Sequence, residues 1–236
     1  MTNSEINKIS QCKKFCVVTT GRSGSTSFMK AFEKFDDIAV PNKNLVCPDN
    51  ELLNFRRIKE HKKSMSKLVN NSIKSREELI KYFFDYNNAF SYVGFKLLPP
   101  FEKYKKFFQR EDIKFIYLKR DDLPSTVASS FFAIKYKTWK RSGEKHNVKE
   151  RIKGFDKLLV RKITREHYRS KEILDTIPTA IQIRFEDLCQ PDFLNTELDG
   201  FFNRHIKLDN PKPPLSGAEY IDNWEWFKQY VKRWYF

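Results

Sequence analysis

The sequence predicts an α/β protein, a three-layer sandwich with a central, mainly parallel sheet between two helical layers. Three observations predict it. Short apolar runs alternate with longer stretches of helical periodicity. Few hairpin signals join the apolar runs, so neighbouring strands connect through helices and run parallel. The first apolar run ends in a glycine turn that opens directly into a helix.

Taken in order, Phe15-Cys16-Val17-Val18-Thr19-Thr20 reads as a buried strand. A helix follows from about Ser25 to Phe35, with Phe28, Phe32 and Phe35 on one face. Residues 36–75 are polar, carry Pro41 and Pro48, and read as a long excursion with short helical pieces. Arg76 to Phe90 is a predicted helix and Tyr92 to Leu98 a strand closed by Pro99-Pro100. A short helix is expected from Glu102 to Gln109, and a strand from Lys114 to Lys119. Asp122 suits a helix N-cap and Pro124 a first turn, so a helix starts there. Residues 138–147 read as a basic loop, and Val148 to Ile177 as one long helix. Ile181, Ile183 and Phe185 alternate with Gln182 and Arg184, which marks a strand. Helices over 192–203 and 217–233 complete the pattern.

The chain of 236 residues suits a single domain. Its nucleotide-binding core is expected over about 13–35, 91–135 and 178–190, with lid and acceptor segments over about 36–75 and 136–150. Hydrophobic residues at 40% are enough for a packed core, which excludes a disordered chain. The net charge of +15 favours anionic partners without choosing among them. Cys12, Cys16, Cys47 and Cys189 form no CxxC pair and no Cys/His cluster, so no metal site is expected. No apolar run approaches the ~20 residues of a membrane span. The polar start Met-Thr-Asn-Ser-Glu predicts no secretory leader and a cytoplasmic location. Nothing in the sequence sets the oligomeric state.

The segment Thr19-Thr20-Gly21-Arg22-Ser23-Gly24-Ser25-Thr26 carries the chemistry. Two glycines permit a tight turn whose amides converge on an anion. The helix start adds partial positive charge. Arg22 adds a full charge, and Ser23, Ser25 and Thr26 add hydroxyls. The strand–loop–helix is P-loop-like, but a nucleotide triphosphate loop reads GxxxxGK[ST]. No Lys follows Gly24 here, which argues against a magnesium-dependent nucleotide kinase. GxGxxG is absent too, which argues against a dinucleotide fold.

This loop resembles the 5′-phosphosulfate loop of the sulfotransferases that use 3′-phosphoadenosine-5′-phosphosulfate (PAPS), with Gly21 in place of a common Pro. The resemblance implies that Gly21, Arg22, Ser23, Gly24, Ser25 and Thr26 hold the phosphosulfate. Arg120 followed by Val127-Ala128-Ser129-Ser130 is similar to the family's 3′-phosphate site. The family Ser falls eight residues after the Arg, where this chain has Ala128, so Ser129, closer in spacing, and Ser130, closer in local match, are alternative candidates for the 3′-phosphate ligand. Asn50-Glu51-Leu52-Leu53-Asn54-Phe55 resembles a segment whose Glu is the proposed general base, which points to Glu51, although the pattern's Lys and His are Asn50 and Leu53. Gly94-Phe95-Lys96 resembles a G-x-K strand and places Lys96 near the transferring group. Arg184-Phe185-Glu186-Asp187-Leu188 resembles a strand end read as structural.

The implied activity is transfer of the PAPS sulfuryl group to a hydroxyl or amine acceptor, a carbohydrate or small metabolite, with release of 3′,5′-ADP and no metal. Two other classes compete with it. One is a P-loop nucleotide or small-molecule kinase. The other is a binding module, either a basic nucleic-acid binder or a non-catalytic nucleotide binder. No nucleic-acid motif is present and the lysines form no stripe, so no nucleic-acid partner is expected.

Overall fold

The structure is a computed structural model and describes residues 12–44, 50–54, 57–136, 151–177, 180–190, 192–208, 216–219 and 221–235. Among these, five strands form one parallel sheet: β1 (Lys13–Val18), β2 (Ile38–Ala39), β3 (Tyr92–Leu97), β4 (Ile113–Lys119) and β5 (Ile181–Arg184), in the order β2-β3-β1-β4-β5. The helices are α1 (Ser25–Phe32), α2 (Pro41–Asn44), α3 (Ile58–Val69), α4 (Arg76–Tyr86), α5 (Leu123–Lys135), α6 (Phe155–Asp175), α7 (Phe185–Leu188), α8 (Thr196–Phe202) and α9 (Trp224–Arg233).

Alternation along β1 builds both cores at once. Cys16 and Val18 face a layer containing Met65 of α3, Phe83 of α4, Phe107 and Phe115. Phe15 and Val17 face Phe28 and Phe32 of α1 and Phe202 of α8. The ring of Phe15 lies 5.0 Å from Phe32 and 5.1 Å from Phe202 between centroids. It also lies flat on Gly94, where a Cβ would come within 2.5 Å of it. A third cluster joins α5, α6 and α9 through Val127, Phe131, Val160, Ile163 and Phe227.

Several elements differ from the sequence reading. Residues 38–39 form the edge strand β2 inside what read as an excursion, a run too short for periodicity to reveal. Met65 and His61 of α3 are buried, so part of the expected lid is core. The helix of the first motif stops at Phe32, three residues early, where Glu33 N–H turns back to the Lys30 carbonyl. The segment 102–109 forms two 3-10 turns, Phe101–Tyr104 and Phe107–Gln109, because its phenylalanines must insert into the sheet core. The long helix starts at Phe155, not at 148; Gly154 before it has a φ of 41°. The basic loop 138–147 lies outside the described residues. So does Cys47; Cys12, Cys16 and Cys189 are free thiols.

β1 sits where connections depart to opposite sides: the chain leaves it for β2 and β3, then crosses to β4 and β5. Carboxyl ends at such a switch point form a crevice. The glycine loop lies there.

Candidate active site

The loop after β1 is held in an unusual backbone shape. Gly21, Arg22 and Gly24 all have positive φ, at 91°, 56° and 72°. Gly24 is constrained twice, since a Cβ there would fall 1.7 Å from the Phe185 ring. A Cβ on Gly21 would meet nothing within 4 Å, so open space remains for an oxyanion against the backbone. The Ser23 hydroxyl is buried, hydrogen-bonds to Thr19 inside the turn and thereby staples the loop. Gly21 N–H also donates to Thr19 Oγ1 at 3.3 Å.

The two motifs converge on Arg22. Its Nε donates to Ser129 Oγ at 2.9 Å, and Arg120 Nη1 donates to its carbonyl at 3.3 Å. Arg120 also lies 3.9 Å from Glu186 Oε1. Helical geometry separates the two serines: adjacent positions on α5 point about 100° apart. Ser129 reaches the loop, whereas Ser130 reaches Nε2 of His167 on α6 at 3.3 Å. Asp122 caps α5 by accepting from Ser125 N–H at 3.0 Å.

Lys96 is the buried cation of the site, 2% exposed. Period-2 alternation puts it on the α1 side of β3, beside Tyr92 and Gly94. Its Nζ donates to Thr26 Oγ1 at 3.2 Å and pairs with Glu51 Oε1 at 3.1 Å. Glu51 thus lies on a turn facing the cleft. Asn54 Nδ2 donates to Glu51 Oε2 at 2.6 Å. The turn is braced from behind. Asn50, at a φ of 60°, accepts from Asn42 N–H at 2.7 Å and donates to Glu33 Oε1 at 2.8 Å. His61 Nδ1 bonds the Leu52 carbonyl at 2.8 Å. Glu33, although near the loop in sequence, thus serves as a strut for Asn50.

A cleft of about 710 Å³ opens beside these groups. Thr20, Gly21, Arg22, Ser25 and Thr26 line it from the loop, and Glu51 and Lys96 from the centre. Arg76 and Tyr104 line another wall, and Ser130, Glu166, His167 and Ser170 a third. Burial pushes His167 down to about 4, so its imidazole is neutral near pH 7. Burial also raises the Tyr104 hydroxyl. Sequence reasoning missed Arg76 and the α6 residues. The only available signal was the i, i+4, i+7, i+11 set Ile163, His167, Ser170 and Leu174, which reads as an ordinary core stripe. Among the described residues, no group of three or more His, Cys, Asp or Glu could hold a metal. No helix among them is long and apolar enough to cross a membrane.

No family model matches the sequence, and no curated protein matches it. The fold is similar to that of the sulfotransferase domain from the olefin synthase of Synechococcus PCC 7002. That match has a TM-score of 0.50 and 12% identity, and covers 97% of each chain. The chain therefore has a sulfotransferase-like α/β fold, with its glycine loop at the carboxyl edge of the central strand.

Proposed function

We propose that this protein transfers the sulfuryl group of PAPS to a hydroxyl acceptor and releases 3′,5′-ADP. The observation that carries the reading is the buried Lys96 held between Thr26, at the loop, and Glu51, in the cleft. The loop supplies backbone amides, Arg22 and Thr26 for a phosphosulfate. Arg120 and Ser129, gathered on Arg22, supply the side toward the 3′-phosphate. Glu51 receives the proton of the attacking hydroxyl. The acceptor oxygen forms its bond to sulfur as the bond from sulfur to the bridging oxygen breaks. Lys96 and the loop amides stabilise the negative charge that collects on the phosphate side. Catalysis on this reading is positioning and charge stabilisation, as in phosphoryl transfer.

A nucleotide kinase needs a loop Lys and a magnesium carboxylate. Here the buried Lys comes from β3 and its partner is Glu51. Calorimetric titration with 3′,5′-ADP in the absence of magnesium tests the donor side, with micromolar binding expected. Transfer of label from radiolabelled PAPS tests the reaction. Tight magnesium-ATP binding with no 3′,5′-ADP binding refutes the proposal.

A further inference from the structure

We propose that the acceptor is a small hydroxyl compound with an apolar body and an oxyanionic group, and that Arg76 seats the oxyanion. The inference rests on the sulfuryl-transfer reading for its hydroxyl and on the cleft for the rest. Arg76 begins α4 and lines the cleft. Its guanidinium carbon lies 6.0 Å from the centroid of Tyr104, so the side chain is laid along an aromatic wall. Its Nε is closed off from water and hydrogen-bonds to no described residue, and no described carboxylate pairs with the side chain.

A cation so placed is costly. Burial of an unpartnered guanidinium N–H loses hydration without replacement. The first turn of a helix is also the end where the dipole opposes positive charge. The capping box of Ser75 and Glu78 already satisfies that turn, so Arg76 is not needed to close it. An oxyanion arriving in the cleft would offset the cost of the unpaired charge through charge-assisted contacts to the guanidinium that lines it.

The remaining charges agree. Lys96 and Glu51 neutralise each other, and Arg22 is committed to the loop side. That leaves Arg76 and the neighbouring Lys103 against Glu166 among the cleft-lining charges. Leu53, Ile134 and Ile163 also line the cleft and suit an apolar body better than a sugar.

The test is calorimetry on the full chain, alone and saturated with 3′,5′-ADP. The probes are 4-hydroxyphenylacetate and its neutral amide, which differ only in the anionic group. The acid is expected to bind about tenfold more tightly than the amide. Arg76→Gln should bring the acid down to the amide's level, Arg76→Lys should keep part of the preference, and 3′,5′-ADP affinity should stay unchanged in both. Equal affinity of acid and amide, absence of binding by both, or a preference that survives Arg76→Gln overturns the inference. Failure of 3′,5′-ADP to bind is a separate result. It removes the donor reading, while the acid and amide comparison without nucleotide still scores Arg76.

Discussion

The side of the cleft proposed to take the donor and the side proposed to take the acceptor are built differently. The donor side centres on one contiguous stretch, 19–26, whose shape is set by its own backbone and by Gly24 packed on Phe185, with Arg120 and Ser129 gathered on its Arg22. The acceptor side is assembled from the turn at Glu51, the start of α4, the turn at Tyr104 and one face of α6. Lys96 is the link between them, touching Thr26 on one side and Glu51 on the other. The difference teaches where each kind of damage should appear. Backbone-built sites fail through strain, and assembled sites fail through the loss of individual side chains or of their braces.

The sharpest way to separate the two is at Glu51. Glu51→Gln should cut turnover by roughly 10²–10⁴-fold while 3′,5′-ADP binds nearly as before. Turnover within a fewfold of wild type in a labelled-PAPS assay would move the base elsewhere. Arg22→Ala should reduce turnover roughly 10²–10³-fold and weaken 3′,5′-ADP binding as well, since it removes a loop charge and releases Ser129. A loss confined to turnover would break the assignment of Arg22 to the donor side.

Strain gives the next effect down. Gly24→Ala forces a Cβ into the Phe185 ring at a φ of 72°. It should destabilise the fold by about 1–3 kcal/mol in urea unfolding and weaken 3′,5′-ADP binding. Gly21→Ala, with open space around it, should strain the backbone only and cost less. Equal losses at the two glycines would argue that conformation alone matters.

On the acceptor side, His167 predicts a pH dependence. Its folded value, about 4, lies below the ordinary 6.5. The unfolded chain therefore binds the extra proton first as pH falls. Stability is present in full above about pH 6.5 and declines toward about pH 4, by on the order of 2–3 kcal/mol. His167→Asn should flatten that slope in urea unfolding across the same range. The smallest effect belongs to the brace: His61→Ala should cost about 1–2 kcal/mol and lower turnover through Glu51, without touching 3′,5′-ADP affinity.

How much of this was legible in the sequence follows the same division. The alternation of Ile181 and Ile183 with Gln182 and Arg184, the Asp122 cap and the glycine loop are local signals, and the structure has them in place. Helix ends were less legible, because Phe35 continues an apolar face after the backbone has already turned at Glu33. The choice between Ser129 and Ser130 was open in the sequence; the structure puts Ser129 on Arg22 and Ser130 on His167. Arg76 and His167 left no local mark, since an Arg beside two Glu and a His on an apolar stripe are ordinary helix residues.

By itself, then, the sequence determined the parallel α/β class and the strand–glycine loop–helix joint, because both rest on periodicity and on backbone shapes that glycine permits. Only the tertiary structure decided that Lys96 is buried against Glu51 and that Arg76 lines the cleft unpaired among the described residues. Those facts depend on which distant segments meet at one sheet edge. Side-chain burial and pairing are set by that meeting and carry no signature in neighbouring residues.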